Sequence, residues 1–177
     1  MRFVSSDEAA TWASRFETTG SSEGYPESQP AGWQGIQVDF TNQPGHRHYW
    51  IARELVAAVG PWSSCLLWIT TFGVWPSSEN LHLYYRFRHS YGETSHLDER
   101  PALIALKHEV IDVESFLHFA VLFGWDAYLV TVEDYGRVFV SHDGFATVSS
   151  KSADALNQVR DSWVSANLRV SKLTSAV

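Results

Sequence analysis

The polar cluster best suited to chemistry is the run Ser141, His142, Asp143 and Gly144. It ends a predicted strand and enters a turn, a place where a rigid sheet often exposes functional groups. An imidazole near a carboxylate can serve as a general base. The same run is also typical of an ordinary hairpin, because Asp-Gly is a strong turn signal and neighbouring strand residues point to opposite faces. The sequence leaves both interpretations open.

A second polar group lies on a predicted helix that follows Pro76. His82, Arg86 and His89 are spaced at i, i+4 and i+7, so they form one stripe on a helix whose other faces are aromatic. The stripe could hold an anion, or it could be the solvated side of an amphipathic helix. Arg88 falls outside the stripe and is expected to pair with an acidic neighbour. If Arg86 and His89 converge with the cluster around His142, the chain would carry the site of a small hydrolase or transferase.

Signals for metal or thiol chemistry are weak. His108 and Glu109 match the start of a zinc-protease motif, but the fourth position is Asp112 rather than histidine. We expect Asp112 to cap the next helix instead. Cys65 lies inside an apolar run, where burial suppresses the reactive thiolate. The sequence therefore predicts no metal site and no cofactor.

A possible binding surface combines acidic and aromatic residues in the second half of the chain. Its predicted members are Trp125, Asp126, Glu133, Asp134 and Tyr135. Acidic groups around aromatic anchors suit fast capture of a basic protein partner. The net charge of −7 should repel nucleic acid and anionic lipid. The alternative is that these acidic loops only solvate an ordinary fold.

Composition places the chain among small soluble domains. Its 177 residues suffice for one globular domain, predicted to span residues 1–177 with a flexible loop at 18–34. The single cysteine indicates a reducing compartment, and no apolar run has the length of a signal peptide core or a membrane span. We therefore expect a cytoplasmic protein.

Hydrophobic periodicity predicts the order α-β-α-β-α-(β)-α-β-β-(β)-α. The run from Cys65 to Phe72 is apolar throughout and predicts a strand buried on both faces, in the middle of the sheet. Residues 127–132 and 137–142 predict a hairpin, and 145–148 could add a third strand. The helix that follows Asp112 is apolar on almost every side and is expected to be largely buried. The predicted fold is α+β, a mixed, largely antiparallel sheet with a C-terminal meander against four to five helices.

Three functional hypotheses follow. The first is a non-enzymatic protein-binding module that uses its acidic and aromatic surface, as an immunity or antitoxin protein would. The second is a small hydrolase or transferase centred on His142 and Asp143. The third is a structural subunit or homo-oligomer that hides excess aromatic surface.

Overall fold

The structure, a computed structural model, describes residues 1–15, 29–72, 81–133 and 136–173. Within these ranges the chain forms five helices and eight strands. The helices are α1 (Ser6–Ala13), α2 (His48–Ala58), α3 (Leu81–Ser90), α4 (Val110–Phe123) and α5 (Ala153–Ser165). The strands are β1 (Arg2–Val4), β2 (Gln34–Asp39), β3 (Ser64–Thr71), β4 (Ala102–Leu106), β5 (Asp126–Thr131), β6 (Gly136–Ser141), β7 (Phe145–Ser150) and β8 (Arg169–Lys172).

The strands form one sheet in the order β1-β4-β3-β5-β6-β7-β2-β8. Each pair of neighbouring strands is antiparallel. The predicted α+β class is therefore confirmed, and the predicted C-terminal meander is β5-β6-β7. The parallel pairing that a mixed sheet would require does not occur among the described strands.

Strand β3 lies inside the sheet, as its apolar sequence predicts. It pairs with β4 on one side and β5 on the other. Alternate side chains point to opposite faces of a strand. Leu66 and Trp68 therefore pack with α1, whereas Leu67 and Ile69 join the larger core on the other face. Because both faces are covered from Cys65 to Ile69, a polar side chain at any of these five positions would need a buried partner.

The larger core lies between the sheet and helices α2 to α5, and aromatic rings dominate its centre. Tyr84 of α3 makes edge contacts with Phe116 and Phe119 of α4 and with Trp125, the last at 5.1 Å between ring centroids. Edge-to-face packing suits the charge distribution of aromatic rings. These contacts hold α3 against α4, so the position of each helix depends on the other.

Several boundaries differ from the sequence prediction. Helix α4 begins at Val110, so the prediction that Asp112 caps it is wrong. The carboxylate of Glu109 instead accepts the backbone N–H of Leu106 and pairs with the N-terminal amino group of Met1. The predicted loop at 18–34 meets the start of β2 at Gln34, and residues 18–28 of that prediction lie outside the described residues. Two short edge strands, β1 and β8, were not predicted.

Candidate functional site

A cavity of about 520 Å³ opens at the end of the sheet where β5 begins and β6 ends. Its wall combines an apolar side with a polar side. Phe40, Val121 and Leu122 form the apolar side. The polar lining residues include Thr41, His48, Ser141, His142 and Asp143. The cavity is therefore lined by the polar run from Ser141 to Gly144 that the sequence indicates as suited to chemistry.

Asp126 holds His142 in a fixed orientation. Asp126 Oδ1 lies 2.8 Å from His142 Nδ1 and also accepts the backbone N–H of His142 at 2.7 Å. A carboxylate only accepts hydrogen bonds, so the ring proton resides on Nδ1 and the basic lone pair on Nε2. Asp143 lies 3.7 Å from Nε2 and is mostly exposed. The carboxylate that positions His142 is thus Asp126 rather than the adjacent Asp143.

The register of the hairpin explains this contact. Ala127 of β5 is opposite Val140 of β6, which places Asp126 across from Ser141 and next to His142. The two residues are 16 positions apart in sequence and adjacent in space. The sequence predicts Asp126 as part of a binding surface, although the predicted hairpin of 127–132 and 137–142 already brings Asp126 close to His142.

The hydroxyl groups of the cavity are engaged in the turn that shapes it. Ser141 Oγ accepts the backbone N–H of Asp143 at 3.2 Å. Thr41 Oγ1 donates to Asp39 at 2.8 Å and lies 3.3 Å from the carbonyl oxygen of Gly144. These bonds stabilise the turn.

Two further histidines, His48 and His118, lie on the neighbouring helices α2 and α4. His48 is the first residue of α2 and lines the cavity, and its Nδ1 atom is buried without a hydrogen-bond partner among the described residues. His118 of α4 packs against the ring edge of Tyr49 at 5.6 Å. Burial, followed by the nearby charge of His48, lowers the pKa of His118. His118 is therefore neutral at pH 7.

The predicted partners on α3 do not join this site. Arg86 and His89 are exposed on α3 and do not line the cavity. Arg88, expected to pair with an acidic residue, is fully buried and forms no ion pair with a described residue. Its guanidinium instead lies 4.9 Å from the ring centroid of Phe3 and donates to the carbonyl oxygen of Arg100 at 3.0 Å. The hydrophobic side of α3 thus includes an arginine.

The predicted acidic and aromatic residues do not form one continuous surface. Trp125 is completely buried in the aromatic core and is unavailable to a partner. Asp126 begins β5 and Glu133 lies in the turn beyond the other end of the strand, so the length of β5, roughly 17 Å at the usual rise, stands between them. Asp134 and Tyr135 lie outside the described residues.

Glu133 is occupied by a structural contact. It accepts the backbone N–H of Ser63 at 2.6 Å. Burial opposes ionisation of Glu133, but the hydrogen bonds from Ser63 outweigh it, so the pKa lies below its usual value.

A different exposed surface lies on α4. Ile111, Ser115, His118 and Leu122 form its outward row, which we call the α4 face. Ile111 is 67% exposed and Leu122 is 39% exposed, so two large apolar side chains of this row meet solvent. The helix is largely buried, as expected, but Ile111 and Leu122 on its outer side are exposed. The apolar residues of α4 continue onto its solvent side. The almost all-round apolar sequence of this helix was the signal that could have predicted an exposed apolar surface.

Two tyrosine–carboxylate pairs flank the α4 face. On the α2 side, Tyr49 donates to Glu114 at 3.1 Å. On the α3 side, Tyr91 donates to Asp112 at 2.6 Å. The bond to Glu114, followed by burial, raises the pKa of Tyr49; burial, followed by the bond to Asp112, raises the pKa of Tyr91 to about 12. Both hydroxyls therefore remain protonated donors at neutral pH.

Metal and thiol sites are not indicated in the described parts of the chain. No three histidine, cysteine, aspartate or glutamate side chains in those ranges are grouped to hold a metal ion. Cys65 is buried, and burial raises the pKa of its thiol far above the usual value. Its thiolate is therefore scarce at neutral pH.

Comparison with known proteins adds no family. No protein-family model matches the chain, and neither the curated proteins nor the solved structures contain a significant match. Across the described ranges, the helices are too short or too polar to cross a bilayer.

Proposed function

We propose that this chain is a binding module that captures a basic protein partner through the α4 face and its two flanking tyrosine–carboxylate pairs. An immunity or antitoxin protein would bind its target in this way. The observation that carries the proposal is the exposed Ile111 between two carboxylates, Asp112 and Glu114, that each accept a tyrosine hydroxyl. This surface replaces the one predicted around Glu133 and Trp125.

The charges around the α4 face favour a basic partner. Neither Asp112 nor Glu114 forms an ion pair with a described residue. Each carboxylate stands beside an aromatic ring, and this combination attracts an arginine or lysine through a charge-assisted hydrogen bond and a cation–π contact. Because His118 is neutral at pH 7, it adds no repulsion. The net charge of −7 would also speed the encounter.

A groove beside the α4 face offers room for a partner side chain. It lies between α2 and α4, with a volume of about 310 Å³ and an apolar floor that includes Val56 and Trp62. Two acidic and two basic residues line it, Glu54, Glu114, Arg53 and Lys107, so their charges balance and the groove is suited to the apolar part of a partner. A partner that places an apolar side chain in the groove and a basic side chain at Asp112 would complement both the shape and the charge of this surface. Interfaces commonly combine a buried anchor with a charged rim.

Peptide selection tests this proposal. A library of random peptides displayed on phage is selected against the full chain, and the best peptide is measured by fluorescence anisotropy. We expect enriched peptides to combine arginine or lysine with an apolar residue. Ile111→Ala should weaken binding at least ~10-fold, the size expected for a central anchor. Asp112→Asn with Glu114→Gln should weaken binding and flatten its salt dependence.

Val164→Ala provides the matched control. Val164 is an exposed apolar residue of α5, away from α4, so its truncation should leave binding within twofold. Equal losses for Ile111→Ala and Val164→Ala, or enrichment of acidic peptides, would contradict the proposal. Sedimentation equilibrium separates the remaining alternative: if Ile111→Ala converts a dimer into a monomer, a second copy of the chain occupies the face and the proposal is wrong.

A further inference from the structure

We propose that the cavity at the end of β5 and β6 is a general acid–base site that hydrolyses a small uncharged ester, with His142 as the base. The inference does not depend on the proposed binding, because it rests on Asp126 and His142, whereas the binding proposal rests on Ile111, Asp112 and Glu114; the cavity and the α4 face share Leu122. Its geometric basis is the contact of Asp126 with both the ring and the backbone of His142 inside a cavity of about 520 Å³.

Asp126 is the positioning residue. By accepting a hydrogen bond from Nδ1–H at 2.8 Å, it fixes the ring orientation and leaves Nε2 as the basic atom. The same oxygen accepts the backbone N–H of His142, so the turn and the ring move together. A carboxylate behind the imidazole also stabilises the imidazolium that forms during proton transfer. This arrangement needs no contribution from Arg86 or His89.

Water is the nucleophile in this site. Ser141 and Thr41, the hydroxyl-bearing residues named in the cavity wall, are both engaged in the turn. His142 Nε2 takes a proton from water while the water oxygen attacks the ester carbonyl carbon. The tetrahedral intermediate then breaks its bond to the alkoxy oxygen, which takes the proton back from Nε2. One ester and one water give one acid and one alcohol, and His142 returns to its starting state.

The lining determines the substrate class. Among the described residues that line the cavity there is no lysine or arginine, whereas the exposed carboxylate of Asp143 stands 3.7 Å from Nε2. An anionic substrate such as a phosphate ester would be repelled. Phe40, Val121 and Leu122 offer an apolar wall for a short acyl chain. The volume is in the range of sites for small ligands.

The test uses three chromogenic substrates, the p-nitrophenyl esters of acetate, butyrate and octanoate. We expect wild-type turnover of at least one ester, and His142→Gln should lower kcat/KM at least ~100-fold. His89→Gln is the matched control, because His89 is an exposed histidine on α3, and it should stay within twofold. Asp126→Asn should lower kcat with little change in KM and should shift the pH profile, since the ring loses its oriented tautomer.

Chemical rescue keeps the test decisive if Asp126→Asn is poorly folded. Free imidazole added to His142→Ala should restore turnover in proportion to its concentration, and circular dichroism checks that this variant is folded. The inference is wrong if no ester is turned over faster by the wild type than by His142→Gln. It is also wrong if His89→Gln loses as much activity as His142→Gln, or if imidazole acts equally on wild type and His142→Ala.

Discussion

Replacing Arg88 tests whether the positive charge or the volume of this buried side chain stabilises the packing of α3. The side chain is fully buried, and its guanidinium lies 4.9 Å from the ring of Phe3 and 5.6 Å from that of Tyr84. Its Nη2 atom donates to the carbonyl oxygen of Arg100, while Nε and Nη1 have no partner among the described residues. The favourable contacts therefore compete with an incompletely satisfied buried cation.

The magnitudes decide which substitution is costly. A desolvated cation–π contact contributes about 2 kcal/mol, and a hydrogen bond from a charged group contributes about 1.5–3 kcal/mol. Removing a buried guanidinium from its desolvated position returns several kcal/mol. These terms nearly cancel, so Arg88→Met, which keeps the volume of the stem, should change the free energy of unfolding by less than about 1 kcal/mol. Arg88→Ala adds a cavity and should lose about 2–4 kcal/mol.

Urea unfolding at 25 °C, followed by the fluorescence of the eight tryptophans, measures both variants. Arg86→Met and Arg86→Ala serve as controls on the same helix, because Arg86 is exposed and should tolerate both changes within about 0.5 kcal/mol. If Arg88→Met loses as much stability as Arg88→Ala, the charge itself is strongly stabilising. That result would show that the cation–π contacts and the hydrogen bond of Arg88 contribute more than the desolvation of its charge costs.

Two further predictions concern acid sensitivity and the turn beside the cavity. Burial opposes ionisation of Glu93, but a backbone N–H of the following loop and the charge of Arg100 outweigh it, so the pKa lies below the ordinary value of 4.5. Such a group stabilises the folded state above its unfolded pKa and loses this effect as pH falls through its folded pKa. The stability difference between wild type and Glu93→Gln, measured by thermal melts, should be present at pH 7 and shrink below about pH 4.5; a constant difference would contradict this. Gly144 has φ +83°, and a Cβ there would lie 2.8 Å from Thr41 Oγ1. Gly92 has φ +78° with open space around it, so Gly92→Ala should cost about 1 kcal/mol from its backbone conformation alone, and Gly144→Ala should cost more in urea unfolding because it also clashes. Equal costs would show that the turn relaxes freely.

Local signals predicted most of the secondary structure. The optional strand after the third predicted helix is β4, and the hairpin of β5 and β6 and the strand β7 follow their alternating patterns and turn residues. The edge strands β1 and β8 were not predicted because they have only three and four residues. Each is a strand because a longer neighbouring strand offers unpaired backbone groups. Pairing of this kind leaves no alternating apolar pattern in the sequence of the short strand.

The candidate sites depended more on contacts than on spacing. His142 and its place in a turn were evident from the sequence, but Asp126 became its partner only through the register of β5 against β6. Trp125, next in sequence to Asp126, was predicted to be exposed and is buried against Tyr84. These two neighbours in sequence differ because the Trp125 side chain packs in the core, whereas Asp126 lies at the first position of β5, at one end of the strand.

Composition and periodicity by themselves determined the α+β class, the antiparallel meander and the polar turn at His142, because these depend on short-range patterns of apolar and turn residues. Only the tertiary structure decided which groups meet. It buried Arg88 among aromatic rings, left Ile111 in solvent between two tyrosine–carboxylate pairs, and placed Asp126 behind His142. The physical reason is that contact between distant residues is set by strand order, register and helix packing. These are properties of the assembled chain, and no local segment encodes them.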